Sequence, residues 1–74
     1  MTMALVKSED AARHLGVWLE KRDKTDRRNA AGRRLWFYKF RRGHDVLKVM
    51  WHTKAGAWQA ALRWAKKLLR GELK

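Results

Sequence analysis

Residues 27–54 carry nine lysines and arginines against one acid, Asp45, and aromatic rings are threaded through them: Arg33-Arg34-Leu35-Trp36-Phe37-Tyr38-Lys39-Phe40-Arg41-Arg42. A stretch this positive repels itself unless something negative lies nearby. The rings argue against a merely solvated charge run, because disordered basic tails are usually poor in aromatics. The segment is therefore expected to fold and to display its charge. Its aromatic and β-branched content favours strands: residues 34–41 read as one and Val46-Leu47-Lys48-Val49-Met50-Trp51-His52 as a second. Gly43-His44-Asp45 supplies the turn chemistry between them.

In the second strand Leu47, Val49 and Trp51 share one face and make the better core side. The first strand is ambiguous. Trp36, Tyr38 and Phe40 alternate with Leu35, Phe37 and Lys39, either set could be buried, and a slip of one residue exchanges them.

At 100° per residue, Ala57, Trp58, Ala61, Leu62, Trp64, Ala65, Leu68 and Leu69 fall on one arc of roughly 160°. Gln59, Arg63, Lys66, Lys67 and Arg70 lie opposite, and the pattern predicts a helix over 54–70. Thr53 suits its N-cap, Gly71 the position after its end, and the late lysines its negative pole. Near the N-terminus Ser8 reads as an N-cap, followed by Glu9 and Asp10. Two readings compete beyond it. One is a longer helix with Leu15, Trp18 and Leu19 on its stripe; the other, preferred because Gly16 and Val17 sit badly in a helix, is a short helix at 8–15 and a strand at 17–22. Residues 23–33 are polar and turn-rich and read as a loop, and residues 1–7 are expected to be flexible.

The expected architecture is thus α+β: a short N-terminal helix, a two- or three-stranded antiparallel sheet, and a C-terminal amphipathic helix packed on one sheet face through Trp58, Ala61, Leu62, Ala65 and Leu68. Seventy-four residues allow a single small basic domain with a thin margin of stability. The five tryptophans matter for that reason, since each can bury on the order of 200 Å². The absence of cysteine removes disulfides and thiolate metal sites and suits a reducing cytoplasm. No secretory signal is visible, and no run approaches the roughly 20 apolar residues that cross a bilayer. The helix also has the look of a membrane-surface helix, but the aromatic hairpin gives its apolar face a sheet to pack on.

A net charge of +12 points to a polyanion as partner, first of all DNA, with RNA left open. Arg27, Arg28, Arg33, Arg34, Arg41, Arg42 and Lys48 are the expected contacts to phosphates or base edges, with the helix basics Arg63, Lys66, Lys67 and Arg70 secondary. Replacing Arg41 and Arg42 is expected to weaken binding without unfolding the domain. A different class competes. Exposed tryptophan and arginine are favoured anchors of protein interfaces, so the chain could instead dock on an acidic groove of a host transcription or defence complex. A monomer or weak homodimer is expected.

Catalysis is hard to build. His14, His44 and His52 are isolated, without ligand spacing for a metal. His52 with Lys48 or Arg41 would be the only set for ribonuclease-like chemistry. Glu20, Asp23, Asp26 and Asp45 are accounted for by helix ends and loops. No enzyme, cofactor or metal site is expected.

Trp36-Phe37-Tyr38-Lys39-Phe40, Lys48, Thr53-Lys54-Ala55 and the alanine-rich helix to Leu69 resemble the AP2-like arm-type DNA-binding domain of phage integrases. The resemblance covers residues 34–69. It implies a three-stranded sheet that reads DNA, braced by one helix, with Trp36, Lys39, Arg41 and Lys48 facing the duplex. The long 23–33 segment and the lack of a Gly-rich basic first strand depart from that pattern. Ser8 to Val17 is similar, more faintly, to the start of excisionase-like winged helices, without their second helix. Both likenesses imply mobile-element or phage DNA biology and a part in transcription regulation.

Overall fold

A computed structural model describes residues 7–71. The elements are α1 (Ser8–His14), β1 (Trp18–Arg28), β2 (Arg34–Arg42), β3 (Asp45–Trp51) and α2 (Lys54–Leu69). The strands form one antiparallel sheet in the order β1-β2-β3, and the helices lie on one of its faces. The shortest of the 38 × 34 × 20 Å dimensions holds one sheet and one helical layer. This is the expected α+β arrangement. The flexibility expected of residues 1–7 concerns, for 1–6, positions outside the described residues.

The ambiguity in the first strand resolves toward Trp36, Tyr38 and Phe40. In the β2–β3 register Trp36 opposes Trp51, Tyr38 opposes Val49 and Phe40 opposes Leu47, so all six face the helices. Tyr38 and Phe40 are fully buried, and the Trp58 ring meets Phe40 edge-on with centroids 4.8 Å apart. Ala57, Ala61 and Ala65 bring α2 close to the sheet, while Ala12 and Val17 close the core from the α1 side. Leu69, expected on the apolar arc, is 54% exposed because the core ends a turn earlier.

The α2 boundaries follow their predicted signals. Thr53 Oγ1 accepts a hydrogen bond from the Gly56 N–H at 3.0 Å, and the Gly71 N–H donates to Leu68 O. Ser8 differs from expectation. It lies inside α1, and Lys7 holds the cap position with no side-chain cap bond. The short first helix is followed by a strand, as preferred above, because the Gly16 N–H closes the last turn on Arg13 O and Val17 then turns into the core.

The largest departure is at residues 23–33. The loop expected there is mostly strand: β1 continues to Arg28, and the reversal is confined to Asn29–Arg33. Polarity did not prevent a strand here, since no helix covers this part of the ribbon on either side. Asn29 organises the turn, its Oδ1 accepting from the Ala31 and Arg33 N–H groups at 3.0 Å each, with Gly32 at φ 81°. The second hairpin turn is shorter than read from sequence. Gly43 (φ 61°) and His44 form a two-residue connection, and Asp45 already belongs to β3.

Candidate nucleic-acid interface

Two basic surfaces arise from this topology. The first is an arm. Pairing with β3 stops at Trp36–Trp51, whereas β1 and β2 stay paired out to Arg28–Arg34. A two-stranded ribbon therefore projects past the third strand, and it carries Arg27, Arg28, Arg33 and Arg34 against one acid, Asp26. Its ladder is irregular between Lys24 and Arg28, and Thr25 repairs the gap. The Thr25 hydroxyl donates to Leu35 O at 2.6 Å and accepts from the Arg27 N–H at 3.1 Å.

The four arginines are held differently. Arg28 Nη1 donates to Gly32 O and Arg34 Nη1 to Thr25 O, both at 2.8 Å. Arg34 also lies 3.9 Å from the Asp26 carboxylate. The Arg27 and Arg33 side chains are exposed and have no hydrogen-bond or ion-pair partner among the described residues. Four guanidiniums against one carboxylate leave a strong positive field at the tip.

The second surface is the sheet face turned away from the helices. In register across it run Lys21, Lys39 and Lys48, with Arg41 opposite both Trp18 and Val46. Like charges directly opposed across strands destabilise the pairing. A bulge in β1 offsets this: Leu19 opposes Phe40 and Lys21 opposes Lys39, so Glu20 is the extra residue. Its carboxylate accepts from Lys39 Nζ at 2.8 Å and from Arg41 Nε and Nη2. The Arg41 and Lys39 hydrogen bonds lower the Glu20 pKa from the ordinary 4.5 to about 2, and Glu20 in turn raises that of Arg41. Asp23 pairs with Lys21 at 3.3 Å. This face also exposes Trp18, Val46 and Met50. It is more apolar and less positive than the arm.

A depressed carboxylate contributes stability that is present above pH 4.5 and lost as pH falls through about 2. Glu20→Gln should therefore be less stable than wild type in denaturant titrations above pH 4.5. The gap should narrow as pH falls from 4.5 and close only below about 2, where Glu20 is protonated in the folded state as well. Parallel stability curves down to pH 2 would mean that the clamp does not act in solution.

The structure separates the residues expected to form one site. Arg27, Arg28, Arg33 and Arg34 cluster on the arm, while Lys39, Arg41 and Lys48 lie on the open face, the first two engaged by Glu20. Arg42 points to the helical layer, its Nε donating to Leu15 O at 2.6 Å. It ties β2 to the end of α1, so its loss bears on the fold and not only on binding. Trp36, expected to face the duplex, belongs to the helix-side face, where the Arg22 guanidinium lies 4.1 Å from its ring centroid. That position follows from the register, because Trp36 shares its face with buried Tyr38 and Phe40. The α2 basics Arg63, Lys66 and Lys67 are exposed. Gly56 packs on Trp51, and Trp58, further along the helix, packs on Phe40, so the helix runs back over the sheet and carries them away from the arm.

Glu20 and Arg22 were missed by sequence reasoning. No local pattern announces a bulge, and Glu20 reads equally well as a loop residue. Among the described residues no three His, Asp or Glu side chains gather as metal ligands, and no helix is long and apolar enough to cross a membrane. Compared with protein-family models, curated proteins and solved structures, the chain matches none, so a functional reading rests on the residues and geometry above.

Proposed function

We propose that the protein is a nucleic-acid-binding module, for DNA in the first place, that engages the phosphate backbone through its β1–β2 hairpin. One observation carries this reading: the hairpin extends beyond the rest of the sheet and concentrates four arginines there, two of them with no side-chain partner among the described residues. A fold that needed these side chains only for solubility would have no reason to gather them on a projecting ribbon against a single acid. Arginine is suited to the task because its planar fork stays charged and matches phosphate oxygens two at a time. The phage or mobile-element setting and a part in transcription regulation belong to the same proposal and draw on the integrase-like residues 34–69.

Arg27 and Arg33 test it most cleanly, since neither holds the fold together. Arg27→Ala with Arg33→Ala should leave the circular dichroism spectrum and melting temperature near wild type. In a mobility shift at low salt it should weaken duplex binding at least tenfold, in keeping with two lost phosphate contacts. Unchanged affinity in the folded double variant would reject the arm as the binding element.

A second reading is favoured by a different observation. The open face exposes Trp18, Val46 and Met50, and its cations are partly neutralised by Glu20 and Asp23. Such a surface suits docking on a protein of the transcription or defence machinery better than it suits a polyanion. Protein docking through it would tolerate salt and require one partner, whereas backbone binding weakens steeply with salt across many sequences.

A further inference from the structure

We infer that the arm enters the major groove of double-stranded DNA tip first, which rests on the nucleic-acid reading above and specifies its substrate as the B-form duplex. The dimensions agree. Leu35 and Arg34 carry β2 about 7 Å beyond Trp36 at roughly 3.3 Å per residue, the Asn29–Arg33 reversal reaches further still, and the paired strands are about 4.8 Å apart. The major groove of B-DNA is about 12 Å wide and 8.5 Å deep and admits a two-stranded ribbon.

The tip is shaped for entry. Ala30, Ala31 and Gly32 form it, all exposed and all small, so nothing bulky stands between the ribbon and the groove floor. Methyl groups there can meet thymine methyls. The guanidiniums sit behind this point. Arg28 and Arg34 oppose each other in register and so share one ribbon face, while Arg33 stands exposed where the Asn29 turn joins β2. Cations on the ribbon and beside its turn can meet the phosphate walls of the groove. Arg28 and Arg34 are already oriented by carbonyl bonds, which leaves less freedom to lose on binding.

The same features weigh against other polynucleotides. A-form RNA has a deep, narrow major groove that protein elements do not enter. Single strands are held by stacking on aromatic rings, and residues 24–35 contain none. The rings of β2 begin at Trp36, which the helix-side packing and Arg22 already engage.

Fluorescence anisotropy with the full chain tests this. The probes are a mixed-sequence duplex DNA, the same sequence as duplex RNA and as single-stranded DNA, and the duplex with glucosylated hydroxymethylcytosines filling its major groove. The unmodified duplex should bind at least tenfold tighter than each of the other three, and a minor-groove-binding drug should not compete. Ala31→Glu at the exposed tip should remove most of the preference for the unmodified duplex while changing affinity for the blocked duplex little. Equal, salt-sensitive binding to blocked and unblocked duplexes would overturn groove entry and leave backbone binding standing. No binding to any polynucleotide in dilute salt would overturn both.

Discussion

Trp58→Ala should destabilise the domain by about 3–5 kcal/mol, the range for removing a large aromatic side chain from a core. Trp58 is 1% exposed, packs on Phe40 and lies between α2, α1 and the sheet, so the cavity left behind touches all three. Small domains rarely hold more than several kcal/mol in total, so the variant should be largely unfolded at room temperature. Trp58→Phe should behave quite differently. The indole Nε1–H is buried without a hydrogen-bond partner among the described residues, and an unsatisfied buried donor costs about 1–3 kcal/mol. Phenylalanine keeps most of the apolar surface and removes that donor, which offsets the smaller ring, and stability should stay within about 1 kcal/mol of wild type. Urea titrations of the two variants check both values. Near-normal stability of Trp58→Ala would contradict the packing described here.

Gly56→Ala should destabilise by about 1–3 kcal/mol, against the usual trend for a helix. In a helix interior alanine is ordinarily better than glycine by up to about 1 kcal/mol. Here a β-carbon at position 56 would fall inside the Trp51 indole, overlapping Nε1, Cδ1 and Cε2. The ring cannot yield by a small rotation, because the overlap is with its body rather than with a flexible end. Trp51 also sits opposite Trp36 in the register, so its displacement would loosen the sheet at the base of the arm. Thermal unfolding of the variant checks the sign, and a rise in melting temperature would show that Trp51 does not occupy this contact in solution.

The sequence carried the fold where one physical signal dominated. The arc from Ala57 to Leu68 could pack in only one way, and Thr53 and Gly71 marked its ends. Leu47, Val49 and Trp51 were recognisable as a core face because the alternate set contains Lys48. The first strand offered a weaker contrast: Lys39 marks one set, but Leu35 and Phe37 are as apolar as Trp36 and Phe40, and the pairing with β3 decides between the sets. Residues 23–33 were misread because a strand that is bare on both sides has no hydrophobic period to betray it. That error hid the arm, although its arginines were already candidates. The open face was obscured for a related reason. The opposition of Lys21, Lys39 and Lys48 exists only across strands, and so does the bulge that lets Glu20 answer it.

The central claim is that a polyanion compensates the charge gathered on the projecting ribbon, and the dependence of duplex affinity on salt measures this directly. Each phosphate neutralised contributes about −0.9 to the slope of log affinity against log salt. Four arm arginines predict a wild-type slope near −4, falling to about −2 in Arg27→Ala with Arg33→Ala. A wild-type slope close to zero, or one that the double variant leaves unchanged, would contradict the account.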